Sequence, residues 1–345
     1  MPQIGTIKLP DFSLLLAPME DVSEPAFRTI CKTNGADVLY SEFIGADNLL
    51  KGVARSQRKL QFFEAERPFG IQIFGGDELA LARTAEICES VNPDFIDINF
   101  GCPVKNIVTK GAGAAVLKNV DLMVRLTKAV IKSTNLPVTV KTRLGWDSQS
   151  QNIEVVAQRM QAIGVQALAI HGRTRSQLYK GEADWELIGK VKNNPLIHIP
   201  IFGNGDIDSP QKAKLYKDRY GVDGIMIGRA AIGYPWIFRE IKHYLATGQL
   251  LPAPTLQERI EVCKTHVTMS VAWKGNHVGI TEMRNKYGQY LKGLPNFKTH
   301  RLQLVRLNTL PEICAALNNI AATEAGFVFA QTPIALVNYH EHCAL

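Results

Sequence analysis

Cys102 is the residue whose surroundings most directly suggest chemistry. It stands between Gly101 and Pro103, just after an alternating apolar segment, in the run DINFGCPVKN at residues 97–106. A cysteine used for packing more often lies inside a strand or helix. A thiol in a tight loop past a strand end can donate a proton or act as a nucleophile. The spacing alone leaves both interpretations open.

Further apolar runs end in side chains that can bind a ligand, and simple exposure to solvent is the alternative for each. They are Met19, Glu42, Gln72, Asn99, Lys141, Arg143, His171, Arg173, Asn204, Asp206 and Arg229. Lys141 would place a positive charge that stabilises an electron-rich ring, unless Glu42 or Asp97 neutralises it. His171 would donate to a carbonyl or act as an acid, or serve as a plain hydrogen-bonding group.

Two glycine-containing segments point to a phosphate. GNGDI, residues 203–207, and IGRA, residues 227–230, place glycines where backbone N–H groups can approach a ligand closely. Arg229 would add the charged donors of its guanidinium group. Loops after the seventh and eighth strands of an α/β barrel often bind phosphate. The sequence therefore predicts a phosphate-bearing cofactor if these segments end those strands.

The elements that must position these residues are strands alternating with helices. Eight short runs rich in aliphatic and β-branched residues lie at 14–19, 37–43, 69–75, 95–101, 138–145, 167–174, 199–206 and 224–230. The segments between them place apolar residues at helical spacing, which indicates parallel βαβ units. A doubly wound sheet is disfavoured because no G-x-G-x-x-G follows the first run. The pattern predicts an α/β fold, a (β/α)₈ TIM barrel.

The pattern changes after about residue 245. GQLLPAPT, residues 248–255, reads as a linker, and helical segments are predicted at 256–273, 280–294, 300–310 and 311–330. We therefore expect a barrel domain over residues 1–245 and a small all-helical C-terminal domain over residues 246–345.

Composition narrows the class of protein. Lys and Arg number 39 against 32 Asp and Glu, a formal charge of +7 that suits a polyanionic partner or an ordinary, mildly basic protein equally well. The six cysteines, Cys343 included, form no C-x-x-C pair, and we expect no metal site. No export signal or membrane-length apolar run is evident, so a cytoplasmic protein without a membrane partner is expected, and a monomer is favoured.

Several blocks together resemble a known family. They are APM at 17–19, IQIFG at 71–75, DINFGCPVKNIVTKGAGAAV at 97–116, VTVKTRLGW at 138–146, IHGRTRSQLYKGEADW at 170–185, IFGNGDI at 201–207, IGRAAIGYPWIF at 227–238 and MRNKYGQYLKG at 283–293. Their order and spacing are similar to those of bacterial tRNA-dihydrouridine synthases, and among these to the DusB-like branch. APMEDVSE departs from the family's APMAGVTD, so Glu20 adds a carboxylate whose own contact would be through backbone.

The resemblance implies an enzyme that binds FMN, is reduced by NADPH, and converts particular tRNA uridines to 5,6-dihydrouridine. Hydride from the reduced flavin would reach uracil C6 while Cys102 protonates C5. The implied flavin contacts are Pro18, Met19 and Glu20 at the ring border, Gln72 and Lys141 at its polar edge, and Asn204, Gly205, Asp206, Gly228 and Arg229 at the phosphate. The implied uracil contacts are Asn99, His171 and Arg173.

Affinity for tRNA is assigned to the helical domain. The segment carries six cationic side chains and only one acidic residue, Glu282. The cations are Arg284, Lys286, Lys292, Lys298, Arg301 and Arg306. Tyr287 and Tyr290 interleave them and would stack on bases, and Arg284 and Lys286 are the predicted substrate contacts. Alternatively, the cluster is an ordinary solvated helix face. In that case the tRNA would dock on barrel loops around Lys105 and Lys110.

Two other functions stay open on the sequence. One is another FMN-dependent barrel oxidoreductase acting on a small molecule, which the helical domain disfavours. The other is a non-catalytic tRNA-binding module, which Cys102 and Lys141 disfavour.

Overall fold

A computed structural model gives the structure of the protein and describes residues 1–330, so Cys343 lies outside the described residues. The barrel strands are β1 (Ser13–Leu16), β2 (Leu39–Tyr40), β3 (Phe69–Phe74), β4 (Phe95–Asn99), β5 (Val138–Arg143), β6 (Leu168–His171), β7 (Ile201–Asn204) and β8 (Gly224–Ile227). The helices are α1 (Pro25–Thr33), α2 (Ala46–Leu50), α3 (Ala54–Arg58), α4 (Glu78–Glu89), α5 (Lys105–Val108), α6 (Val120–Lys132), α7 (Ile153–Ala162), α8 (Trp185–Lys192), α9 (Pro210–Tyr220), α10 (Ile237–Thr247), α11 (Leu256–Lys274), α12 (Asn276–Tyr290), α13 (Phe297–Leu304) and α14 (Leu310–Thr323).

The barrel strands pair in parallel and in chain order from β2 to β8. β8 then pairs with β1, and a parallel bridge between Leu15 and Val38 joins β1 to the chain entering β2. The sheet therefore closes on itself, and the predicted (β/α)₈ barrel is confirmed. Its register pairs Asn99 with Lys141 and Arg143 with His171, so these polar residues meet at the carboxyl ends of their strands.

Each of the eight predicted runs overlaps a strand, but the second strand is much shorter than predicted. Pairing stops after Tyr40 because the Ser41 hydroxyl, rather than a backbone carbonyl, accepts the Gln72 N–H at 2.9 Å. A two-residue strand, Ile44–Gly45, then resumes pairing with β3. The other predicted runs extend one to three residues past the carboxyl ends of their strands.

Apolar side chains fill the amino-terminal end of the barrel. The rings of Tyr40 and Phe95 meet edge to face with centroids 5.4 Å apart. Ile4, in an antiparallel N-terminal hairpin of strands Gln3–Ile4 and Ile7–Lys8, belongs to the same core. Residue 70 is glycine because a Cβ there would lie 2.2 Å from the Phe95 ring. Space for a ligand is therefore left at the opposite end of the strands.

Helices α11 to α14 surround a second apolar core that includes Ile260, Tyr287, Tyr290 and Leu317. The four predicted helical segments are confirmed, although α12, α13 and α14 end four to seven residues before the predicted ends. Thr255 and Glu258 form a capping box that starts α11 directly after the predicted linker. The boundary near residue 245 stays a prediction. Within residues 1–330, no helix combines the length and apolar character needed to cross a membrane.

Candidate active site

A cavity of about 380 Å³ opens at the carboxyl ends of the barrel strands. The predicted site residues that line it are Pro18, Met19, Glu20, Asn99, Cys102, Lys141, His171, Asn204, Gly205, Asp206, Gly228 and Arg229. Four other predicted site residues, Gln72, Arg173, Arg284 and Lys286, are not part of its wall. The barrel thus gathers side chains that are up to 211 positions apart, counting from Pro18 to Arg229.

The Cys102 loop is held from both sides. Asn99 Oδ1 accepts the backbone N–H groups of Gly101 and Cys102, both at 2.9 Å. On the other side, Arg143 Nε donates to the Gly101 carbonyl at 2.7 Å. Cys102 is 7% exposed and lines the cavity, so its thiol has a defined position and access to a ligand.

Lys141 places a buried cation in the cavity wall. Burial, and secondarily Arg143, lowers the pKa of Lys141 to about 8, so the ammonium form predominates at neutral pH. Its Nζ donates to Asn204 Oδ1 at 3.3 Å, and Asn204 is oriented because its own amide donates to the Met226 carbonyl at 2.7 Å. The remaining donor capacity of the ammonium group is available to an electron-rich ligand.

His171 is a neutral hydrogen-bonding group. Burial lowers its pKa well below the ordinary histidine value, and the neighbouring cations Arg143 and Lys141 lower it further. At neutral pH the ring therefore carries one donor and one acceptor nitrogen. Arg173 Nη1 lies 3.3 Å from Nε2.

An anion-binding arrangement lies at the ends of β7 and β8. Asp206 accepts from Arg173 at 3.0 and 2.7 Å and from Arg229 at 2.9 Å, and its φ is +54°. Burial alone would raise the pKa of Asp206, but the hydrogen bond from Arg173 and the nearby charges outweigh it and lower the pKa. Two guanidinium groups around one carboxylate leave one positive charge, and Arg229 presents it to the cavity.

Two predicted contacts inside the barrel require correction. Arg173 is 2% exposed, and both of its terminal nitrogens are used by Asp206, so the structure places it behind the cavity rather than against a uracil. Gln72 has no exposed surface, and its amide is shared between Asp97 and Asn99, so it reaches the cavity only through Asn99.

The predicted basic surface of the helical part also requires correction. Lys286 is 5% exposed, and its Nζ donates to the buried carboxylate of Glu24 at 2.8 Å. Tyr287 and Tyr290 are fully buried in the helical core and cannot stack on bases. Arg284 is half-buried and donates to Asn308 Oδ1 at 2.8 Å, which still leaves it near the surface.

The cavity wall includes Arg175 and Tyr179, which the sequence did not single out, and Arg143, which it placed only among the side chains able to bind a ligand. Arg143 lines it while holding Gly101, and Arg175 and Tyr179 line it from the loop after β6. The Tyr179 ring lies between two guanidinium groups, 5.5 Å from Arg143 and 5.1 Å from Arg229. The block IHGRTRSQLYKGEADW was the available signal, since it continues past the strand end into this loop.

Glu20 faces cations at the cavity rim. Its carboxylate accepts from Lys59 Nζ at 2.6 Å and from Arg55 at 2.9 Å. Because the carboxylate is occupied in this way, its charge beside the cavity is largely compensated.

Comparison with known proteins identifies the family to which this chain belongs. A family model described as dihydrouridine synthase (Dus) matches residues 15–325. The chain is 40% identical over 320 residues to a protein named tRNA-dihydrouridine synthase B from Pseudomonas aeruginosa, covering 93% of this chain and 96% of the relative. It is 36% identical over 297 residues to a probable tRNA-dihydrouridine synthase from Rickettsia bellii, covering 86% of this chain and 90% of the relative.

Solved structures of low identity share the barrel. Histamine dehydrogenase from Rhizobium sp. 4-9 superposes with a TM-score of 0.52 at 12% identity, over 77% of this chain and 50% of that chain. A 2-naphthoyl-CoA reductase superposes with a TM-score of 0.54 at 11% identity, over 70% of this chain and 51% of that chain. At such identities the likeness concerns the fold alone.

Proposed function

The chain belongs to the dihydrouridine synthase family, and from that premise we propose that it is an FMN-dependent tRNA-dihydrouridine synthase that uses NADPH to reduce uridines in tRNA. The observation that carries the proposal is a single cavity lined by the Cys102 thiol, the Lys141 ammonium group and the Arg229 guanidinium group. These three groups suit a proton donor, a partner for an electron-rich ring and an anchor for a phosphate.

The donor set of the cavity fits FMN. Arg229 and Ala230 line the cavity and open the short 3₁₀ turn Arg229–Ala231, whose first N–H groups have no acceptor inside the turn. We assign the phosphate to Gly205, Gly228 and Arg229, with Asn204 beside them. Asp206 acts by holding Arg229, since an ionised carboxylate only accepts hydrogen bonds.

The flavin ring is assigned to the other part of the cavity. Pro18, Met19 and Glu20 would border it, and Lys141 would face its electron-rich edge. When bound and reduced by NADPH, FMN would supply the hydride that adds to uracil C6.

The residues of the chain then bind the uracil and move its proton. The target uridine must leave its stack to enter the cavity, where Asn99 and His171 offer hydrogen bonds to its edge. Cys102 donates the proton to C5 from its fixed loop. Lys141 keeps a positive charge near the reacting atoms, where negative charge develops.

Replacing Arg229 by alanine should weaken FMN binding by about 10–100-fold, because hydrogen bonds to charged groups are worth about 1.5–3 kcal/mol. Release of fluorescent free flavin on dilution measures this loss. Arg125→Ala, which removes an arginine paired with Glu78 on the outside of the barrel, should keep its flavin. Full occupancy in the Arg229 variant under the same dilution would exclude the phosphate assignment.

The corrected basic surface is the proposed site for tRNA phosphates. Its exposed members are Lys292, Lys298, Arg301 and Arg306. They surround α13, whereas Lys286 points into the protein interior toward Glu24. We keep residues 246–345 as the proposed tRNA-binding domain, with Arg284 at the edge of this surface.

Charge reversal at Lys298 and Arg301 should weaken tRNA binding and reduce the slope of log affinity against log salt by about 2, because two phosphate contacts are lost. Filter binding at several salt concentrations gives both quantities. The matched control is charge reversal at Lys214 and Lys217 on α9, outside the barrel. If the affinity and slope stay at wild-type values in both variants, the tRNA docks elsewhere, for example around Lys105 and Lys110.

Mapping dihydrouridine in tRNA from a strain that lacks this gene tests the activity. At least one uridine site should lose its modification, and the wild-type gene should restore it. The other genes of this family are deleted in the same strain so that they cannot compensate. If the dihydrouridine map is still unchanged, the tRNA activity is excluded and a flavin enzyme acting on a small molecule is favoured.

A further inference from the structure

A chain of hydrogen bonds runs beneath the cavity to the Cys102 loop. Asp97 Oδ2 accepts from Gln72 Nε2 at 2.5 Å, and Gln72 Oε1 accepts from Asn99 Nδ2 at 2.7 Å. Asn99 Oδ1 in turn accepts the N–H groups of Gly101 and Cys102. Asp97, Gln72 and Asn99 are each 5% exposed or less, so water does not compete for these bonds.

The donor-to-acceptor direction of these hydrogen bonds is set by Asp97, at the buried end of the series. A carboxylate can only accept, so Gln72 must turn its NH₂ group toward Asp97 and its oxygen toward Asn99. Asn99 must then turn its NH₂ group toward Gln72 and its oxygen toward the loop. A reversed Asn99 would present a donor to two backbone donors and release the loop.

The strand register makes the arrangement rigid. Gln72 and Asp97 are direct neighbours on β3 and β4, and Thr139 is the neighbour of Asp97 on β5. The Thr139 hydroxyl donates to Asp97 Oδ1 at 2.6 Å, which occupies the second oxygen of the carboxylate. Burial raises the pKa of Asp97 to about 6, so the ionised, accepting form predominates at neutral pH.

We propose that Asp97 is a positioning residue that fixes the Cys102 loop by orienting the amides of Gln72 and Asn99, and this role deepens the proposed function, on which it rests. Asp97 itself does not line the cavity. It acts through two amide side chains whose orientation would otherwise be free to invert.

The test compares variants that remove or keep the acceptor at position 97. Asp97→Leu removes it and should slow single-turnover tRNA reduction by about 10–100-fold, because a displaced catalytic group costs up to about 10²-fold. Asp97→Asn keeps a carbonyl oxygen for Gln72, and its NH₂ group can donate to the Thr139 oxygen. It should therefore retain most of the wild-type rate.

Two further variants locate the effect in the chain. Gln72→Met removes the acceptor of the Asn99 amide and should reproduce the Asp97→Leu defect. This second variant keeps the proposal testable if the leucine variant does not fold. Thr139→Val alone should be close to wild type because the Gln72 bond survives. In the Asp97→Asn background, however, Thr139→Val should abolish the rescue, since nothing then fixes the asparagine amide.

A readout independent of catalysis is the rate at which iodoacetamide alkylates Cys102 in the flavin-loaded protein, measured by peptide mass spectrometry. Alkylation should be faster in Asp97→Leu and Gln72→Met and near wild type in Asp97→Asn. Equal defects in the leucine and asparagine variants would show that the charge of Asp97 matters instead, and unchanged alkylation in all variants would overturn the proposal. The alkylation rates test the loop even if the wild-type protein forms no dihydrouridine.

Discussion

Cys102→Ala is expected to slow the reduction of tRNA by about 10²–10⁴-fold, the usual worth of general acid catalysis, while reduction of the bound flavin by NADPH stays near the wild-type rate. The thiol lines the cavity in a loop held by Asn99 and Arg143, so its loss removes a proton donor without removing the loop's hydrogen bonds. Stopped-flow measurement of the two half-reactions separates the effects.

Cys314→Ala is the matched control, because this cysteine lies on α14, away from the cavity. It should leave both half-reactions unchanged. Cys102→Ser should fall between alanine and wild type, since a hydroxyl is a weaker acid than a thiol. A Cys102→Ala variant that reduces tRNA at the wild-type rate would exclude the proton-donor role.

Lys286→Met is expected to lower the free energy of unfolding by about 1–3 kcal/mol, because it removes one of the two ammonium groups that neutralise a buried carboxylate and leaves only Lys274 as a charged partner. Glu24 has no exposed surface and accepts from Lys286, from Ser270 at 2.9 Å and from His266 at 3.1 Å, with Lys274 at its other oxygen. Burial lowers the pKa of His266 to about 4, so that ring supplies no charge at neutral pH.

Urea titration followed by tryptophan fluorescence measures the loss of stability. Lys298→Met, which removes an exposed lysine of α13, should change the free energy of unfolding by no more than about 0.5 kcal/mol. The pair also separates two roles for Lys286. A stable Lys286→Met variant with weakened tRNA binding would restore the phosphate contact that the sequence predicted and contradict the buried ion pair.

The barrel was predictable because its signals are local. Each apolar run and each helical segment lies within about 20 residues, and their alternation already indicates parallel βα units. The second strand was overestimated because a serine hydroxyl replaces a backbone acceptor, and the run DVLYSEF gives no sign of that exchange.

The cavity was predictable for a related reason. Residues at the carboxyl ends of barrel strands converge whatever their separation in the chain, so Cys102, Lys141 and Arg229 could be placed together from their positions after apolar runs. The orientation of each side chain was not predictable in the same way. Arg173 turns to Asp206, 33 positions away, and only the fold brings that carboxylate within reach.

The basic cluster shows the same limit more sharply. The sequence gives the positive charge of Lys286 but not its burial, which depends on Glu24, 262 positions earlier in the chain. The same contact joins α12 to the start of α1, directly after the loop that borders the cavity. A residue that looks like part of a tRNA surface therefore ties the helical part to the barrel.

An anaerobic single-turnover experiment can follow the whole proposed reaction, from reduced flavin to dihydrouridine. Flavin-loaded enzyme is reduced with one equivalent of NADPH and mixed with unmodified tRNA transcript. Flavin absorbance and dihydrouridine, counted by mass spectrometry, are followed in the same sample. One dihydrouridine should form for each flavin reoxidised, at a specific uridine, and Cys102→Ala should delay both events equally. Flavin that stays reduced in the presence of tRNA, or reoxidises without dihydrouridine, would contradict the proposed reaction.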